Sequence, residues 1–448
     1  MFVRALPIAI WVSILGFTMG CEKTDHETID KWTKVEGGPE KLAKALANEG
    51  IDADLSAHAA VNMVKMGKDV EMRSALKSMS PPRRAQVIAK LAPRLWDVAR
   101  VEKETDLPTG VQVTGKDALF ALREMSEDPA LKTQIDTYLI DWYAVASYEG
   151  RAKAGANVGA TVIREVGPAA GKKLMAVTNS VIAAPGQDKQ KNRIGDELLL
   201  GMAASGDPAA VKYIIDIAKM DRGDPSLSKR AFNALAIAYS DSSQQLIKPV
   251  DPQALVPNLD ALAAVAKDES MPPSVGTDAI ELIAATRQPH CIEPLVGMVR
   301  HPHPNPFFRY AVAQQALVCG ETDAILKVVR ALPDDAPYEK ERLVGAVAKT
   351  IAKLSPRAKV LEAVRALTQD KGKIARWVAI ETLADMKSTE DLPRISAMTG
   401  SSDRLTGYWG ESQEGKEDPT LGQRAKELVA ALSNPASAAA APTGQPPK

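Results

Sequence analysis

Apolar positions along this chain recur at three- and four-residue spacing and almost never alternate. From Thr24 to Ser433 no convincing run reads as a β-strand, whereas Leu343, Val347, Ile351 and Leu354 place one apolar stripe down a candidate helix. Proline supplies the punctuation. Seven of the 30 prolines follow Ser or Asp: Ser80-Pro81, Asp128-Pro129, Asp207-Pro208, Asp224-Pro225, Asp251-Pro252, Ser355-Pro356 and Asp418-Pro419. A Ser or Asp side chain accepts from the free amides of a helix start. Proline suits the first helical position, because the N–H it lacks would be unpaired there. Seven such starts predict many short helices, and so an all-α fold.

The predicted helix ends also look alike. "GDELLLGMAASGD", "AFNALAIAYSD", "AIELIAATRQPH", "AVAQQALVCGETD", "AVAKTIAKLSP" and "AIETLADMKSTED" align when Leu199, Leu235, Ile283, Leu317, Ile351 and Leu383 are taken as equivalent. The intervals are then 36, 48, 34, 34 and 32 residues. A period near 34 with one longer unit predicts a stack of helix pairs. One pair cannot bury its apolar face alone, so neighbours must share a core. "NPFFRYAVAQQAL" and "IARWVAIETLADMKSTEDLPRI" resemble HEAT repeats, in which a turn with Pro or Asp leads to Arg, then small residues, then Leu. Arg309 and Arg376 match the Arg of that pattern, and Ala313 and Ala379 its small positions. The resemblance implies a right-handed α-solenoid of HEAT-like helical hairpins over 38–433. It is clearest over 195–398 and weaker over 38–79, around "AHAAVNMVKMGKDVEM". Over 81–166 helices are expected without a clean register. Val101–Asp117 and Gly400–Thr420 read as insertions between helices, and a last helix near Thr420–Leu432 would cap the array. Residues 434–448 are low in complexity and expected to be disordered.

The N-terminus carries a second pattern. Met1–Arg4 is a singly basic leader, Ala5–Phe17 is almost wholly apolar, and the chain turns polar after Cys21. Ala5 to Cys21 is 17 residues, about 25 Å as a helix against a hydrocarbon core of about 30 Å. That length suits an export signal better than a permanent span. Thr18-Met19-Gly20-Cys21 resembles the lipobox of bacterial lipoproteins, departing from it at Thr18 where Leu is usual. The resemblance implies a signal peptide over 1–20 and an acylated Cys21. It also implies a linker over 21–37, with a short helix around Ile29–Val35, and anchoring at the envelope, at the outer membrane facing the periplasm. Several acyl chains give stable anchoring.

Composition narrows the function without naming it. The chain of 448 residues is 45% hydrophobic but only 4% aromatic, a mix that favours close helix packing. Lys+Arg and Asp+Glu both total 56, so no global field draws nucleic acid or anionic lipid. The sequence has no Walker loop, G-x-S-x-G elbow, H-E-x-x-H pair or dinucleotide fingerprint. Two enzyme families built on HEAT-like repeats fit poorly. Deoxyhypusine hydroxylase binds iron through recurrent His-Glu pairs, whereas His26-Glu27 is the only pair here and precedes the repeats. HEAT-type DNA glycosylases need a basic groove.

The strongest metal candidate is His290, Cys291, His301 and His303, in "HCIEPLVGMVRHPHPNPFF". Zinc needs three or four converging N or S ligands, but this spacing matches no known finger, and Pro302, Pro304 and Pro306 hold the stretch extended. A proline-rich turn between repeats, with its histidines solvated, is the preferred reading. Cys291 would open the second helix of one unit and Cys319 close the first helix of the next, at one edge of the stack. Neighbouring helices lie about 8–10 Å apart and a disulfide needs Cα atoms within about 7 Å, so two unbonded, buried cysteines are the leading expectation, with a bond between them in an oxidising envelope as the alternative. Asp334-Asp335 reads as a solvated loop, and Trp377 as core. Tyr408-Trp409 is either a pair of aromatic partner contacts on a loop or a fold-back onto the last repeats. These readings add up to a membrane-anchored, non-enzymatic interaction scaffold or assembly factor. It is expected to engage a protein partner and to use no cofactor, small-molecule substrate or nucleic acid. The runner-up is a metal-dependent or lyase-like envelope enzyme using the 290–319 cluster.

Overall fold

The computed structural model describes residues 24–183, 194–220, 226–240, 248–303, 305, 307–334, 340–410 and 415–433. The described chain is all-helical, with no strand beyond an isolated bridge between Arg404 and Thr420. Four of the six described Ser-Pro and Asp-Pro pairs open a helical segment at the proline: Pro81–Ala99, Pro129–Tyr143, Pro208–Ala218 and the 3-10 segment Pro252–Asn258. Asp128, Asp207 and Asp251 each accept an amide two residues on, at 2.9 Å. The other two are offset. Pro356 precedes the helix Arg357–Leu367, and Thr420 rather than Asp418 caps Leu421–Ser433, exchanging hydrogen bonds with Gln423. Asp418 instead accepts from the amide of Gly407 at 3.1 Å.

The chain divides into two compact units. The first runs to Trp142 and includes Ala154–Ala156; the second comprises Tyr143–Lys153 and everything from Asn157. The division falls inside 81–166, where the sequence shows no repeat register. A buried ion pair explains why so short a piece belongs to the first unit. Lys116 Nζ donates to Asp117 Oδ1 at 2.6 Å and to the carbonyl of Ala154 at 3.1 Å, while Asp117 Oδ2 accepts from Ala156 N at 2.8 Å. Both charges sit on Gly110–Met125, a helix opened by a capping box between Thr109 and Gln112. Half of the expected insertion Val101–Asp117 is therefore helix, because a Thr-x-x-Gln start satisfies two amides reciprocally.

In the first unit, Ala53–Lys65 packs between Gly38–Ala47 and Pro81–Ala99, which in turn packs on Gly110–Met125. The short N-terminal helix is His26–Trp32, a few residues before the expected Ile29–Val35. It buries Ile29 and is pinned by Asp30, whose Oδ1 lies 2.7 Å from His58 Nε2 and 2.8 Å from Asn62 Nδ2.

In the second unit, Asp196–Ala204, Leu227–Tyr239, Pro273–Ala285, Phe308–Ala331, Lys340–Ala352, Lys373–Asp385 and Leu421–Ser433 lie side by side in chain order. Pro208–Ala218, Leu259–Ala266, Ile292–Val299, Phe308–Ala331 and Arg357–Leu367 make a second row. Phe308–Ala331 belongs to both rows because Glu321, at φ 48° and ψ −138°, breaks it into two helices. Leu199, Leu235, Ile283, Leu317, Ile351 and Leu383 each sit in a successive helix of the first row and are each fully buried. Each such residue contributes about 1.5–3 kcal/mol of burial, available only because the next helix covers it. Leu343 and Val347 share the stripe, but Leu354 lies past the helix end and is half-buried.

Polar clamps hold the turns between these helices. Arg309 is buried and donates to the carbonyls of Val299 and His301, both at 3.2 Å. Arg376 does the same for Asp370, at 2.9 Å, and pairs with Asp403. Asp334 is no solvated residue. Its carboxylate accepts from Lys373 N at 3.0 Å and Ile374 N at 2.8 Å, capping a helix about forty residues away in sequence; Asp335 lies outside the described residues. Asp391 is buried and takes Arg365 in a two-pronged contact at 2.8 and 2.9 Å, with Ser388 at 2.8 Å.

Two predictions follow from this packing. Gly201 faces Tyr148 so closely that a Cβ would overlap the phenol oxygen, and Tyr148 is buried. Gly201→Ala is expected to cost about 1–3 kcal/mol in urea denaturation, part of which Tyr148→Phe recovers in the same background. The hydrogen bonds from Arg365 hold Asp391 below the usual carboxylate range, aided by Ser388 and Arg394 and opposed by burial. A depressed folded pKa gives stability that is complete above the unfolded value of about 3.9 and is lost as pH falls through the folded one. Acid denaturation followed by circular dichroism should therefore be shallower below about pH 4 for Asp391→Asn than for the parent.

Candidate functional site

The second unit carries a groove of about 1090 Å³ along one edge of its helix stack. Four local features converge on it. Leu227–Tyr239 and Pro273–Ala285 both end there, so their C-terminal carbonyl ends border the groove. Asp251 reaches it from the cap of Pro252–Asn258, and Glu281 from the last turns of Pro273–Ala285. Arg287 and Glu321 line it with φ of 58° and 48°, the left-handed region that bulky side chains avoid. Each such residue costs about 1–3 kcal/mol and persists only where its surroundings impose it.

The surroundings do impose it. Gln288 Nε2 donates to the carbonyl of Gly320 at 2.6 Å, joining the two strained segments. Beside that bond, Cys291 and Cys319 form a disulfide with Cα atoms 6.5 Å apart. This corrects the expectation of two unbonded cysteines. Cys291 is the N-cap of Ile292–Val299 and Cys319 lies two residues before the Glu321 break, as the sequence places them.

The disulfide also bears on the metal-site candidates. Cys291 is bonded to Cys319 and has no thiolate to offer. His303 stacks on Phe308, with ring centroids 4.2 Å apart, and its Nδ1 accepts from Asn305 N at 3.1 Å. His301 is held below the usual imidazole range by burial, then by Lys267 and His303. His290 is half-buried in the turn before Cys291. Among the described residues no three His, Cys, Asp or Glu side chains are grouped to hold a metal ion, so the structure does not assemble the four.

The aromatic loop divides. Tyr408 is 5% exposed, packs on the buried Trp377 at 4.8 Å between centroids, and its carbonyl accepts from Glu341 N. It folds back onto the helix stack, the second of the two readings the sequence left open. Trp377 is core, as expected. Trp409 stays half-exposed: Nε1 donates to Glu417 O at 3.1 Å and Lys416 Nζ lies 3.3 Å from its ring centre. It borders a second groove of about 980 Å³, whose Glu381 and Arg424 are already paired. Cys21 lies outside the described residues. Among those residues no helix is long and apolar enough to cross a membrane. No protein-family model matches the chain, and no curated protein matches it.

Sequence reasoning missed Tyr239, Asp251, Glu281, Arg287 and Glu321 as a group. Asp251 was legible only as a helix cap, and Glu321 only as part of a turn-like "CGETD". Replacing both Cys291 and Cys319 by Ser is expected to lower stability by about 2–4 kcal/mol in denaturant unfolding. Mapping of the unreduced parent should recover the two cysteines in one linked peptide.

Proposed function

We propose that the chain is a right-handed solenoid of HEAT-like helical hairpins. In this reading acylated Cys21 holds it at the bacterial envelope, at the outer membrane facing the periplasm. It serves there as a non-enzymatic scaffold or assembly factor for a protein partner. The observation that carries the reading is the Cys291–Cys319 disulfide in a chain that opens with an export-type segment. Disulfides persist in oxidising compartments such as the periplasm and are rare in the cytosol.

The side-by-side helices of the second unit support the architecture, as do Arg309 and Arg376 in their matching clamps. Stacked helix pairs repeat a surface along one direction, and a long surface with separated grooves suits a polypeptide better than a small substrate. The metal-enzyme alternative is favoured by no observation of this structure. Metabolic labelling with palmitate tests the anchor: the wild-type chain is expected to take up label and fractionate with membranes, and Cys21→Ser to do neither. Equal labelling of the two would end the lipoprotein reading.

A further inference from the structure

The groove beside the disulfide gathers acidic side chains. Tyr239 lines it, is only 2% exposed, and has an Oη with no hydrogen-bond partner. A buried hydroxyl without a partner has lost its water and gained nothing in exchange. Asp251, Glu281 and Glu321 line the same groove, and among the described residues none of them has an ion-pair partner. Among the described residues lining the groove, Arg287 is the single cation opposing them. The ends of Leu227–Tyr239 and Pro273–Ala285 add the negative poles of two helices, which favour positive charge. The second groove differs, since Arg424 already occupies Glu381 there.

We propose that the groove docks an arginine or lysine side chain of an extended partner segment, held among Asp251, Glu281 and Glu321 with Tyr239 Oη as a further hydrogen-bonding group. The inference rests on the scaffold reading and gives it a recognition chemistry. A polypeptide is the occupant because about 1090 Å³ far exceeds one guanidinium or ammonium group, so the residues flanking that side chain fill the remainder. Val318, 61% exposed on the wall, offers those residues an apolar contact. The chain's own adjoining stretch, 241–247, contains no Lys or Arg and does not bring the cation itself. The strained Arg287 and Glu321, tied by the Gln288 bond and the disulfide, keep the walls in place before binding. Pre-organisation of this kind raises affinity by sparing the ordering cost.

The test uses the full chain in detergent and fluorescein-labelled nonapeptides of Ala and Ser with one central residue: Arg, Lys, the neutral isostere citrulline, or Glu. Fluorescence anisotropy is expected to show binding of the Arg and Lys peptides, about tenfold weaker binding of the citrulline peptide, and weakening by salt. Asp251→Asn with Glu281→Gln should weaken the Arg peptide by about tenfold with thermal unfolding unchanged, and Tyr239→Phe, which removes the unpartnered hydroxyl, should weaken it by about threefold without lowering the unfolding midpoint. Asn still caps the helix start at 251. Glu362→Gln, exposed on another helix, should leave binding unaltered. Equal binding of the Arg and citrulline peptides, undiminished binding by the double variant, or no binding by any peptide overturns the proposal. Arginine amide binding as tightly as the peptide overturns its polypeptide part. A photo-cross-linking residue in place of Val318 separates this inference from the scaffold reading. A partner captured in cells through a segment lacking Arg and Lys sinks the former and leaves the latter standing.

Discussion

A helix of nine to thirteen residues has one apolar face and no means of covering it. That constraint governs the second unit. Isolated helices of this length are marginal in water, and their stability comes from packing an apolar face. Leu199, Leu235, Ile283, Leu317, Ile351 and Leu383 are each sealed by residues of an adjoining helix. Close approach follows from the same need. Ala313, Ala316 and Ala379 are fully buried, and Gly201 leaves space for the Tyr148 ring where any larger residue would collide. The low aromatic content of the chain is the compositional side of this packing.

Apolar stripes alone would let neighbouring helices slide, and the buried polar groups remove that freedom. Every helix end leaves carbonyls and amides without intrahelical partners. Here those groups are satisfied across turns and between units of the stack: Arg309 on Val299 and His301, Arg376 on Asp370, Asp334 on Lys373 and Ile374. A charge buried for this purpose must be fully paired, because an uncompensated one is costly. Asp391 meets the requirement with Arg365 and Ser388, and Lys116 with Asp117 and Ala154. In the first unit, the last of these contacts captures Ala154–Ala156 from a stretch whose flanking residues belong to the second.

The groove departs from this economy. Among the described residues three non-glycines hold positive φ, and two of them, Arg287 and Glu321, meet at one edge of the stack beside three carboxylates with no ion pair among those residues and a buried tyrosine hydroxyl without a hydrogen-bond partner. The disulfide and the Gln288–Gly320 bond join the same segments. Local rules broken together in one place mark functional or strained sites.

Helix content and periodicity were legible in the chain because capping chemistry and apolar spacing act over a few residues. Four proline-marked helix starts, the buried equivalents of Leu199 and the core position of Trp377 are all local consequences. The places of Cys291 and Cys319 at one edge follow from the same count. Their bonding did not, because it depends on the 6.5 Å separation of Cα atoms that the packing of the two helices sets. For Tyr408 the sequence left two readings open, a loop contact or a fold-back, because its neighbours are small and charged; the contact that decides between them is made with Trp377, about thirty residues away in sequence. The division near Trp142 and the gathering of Tyr239, Asp251, Glu281 and Glu321 likewise belong to tertiary structure alone. Sequence spacing determines which face of a helix is apolar. Only the packed chain decides which polar groups, tens of residues apart, end up facing one another.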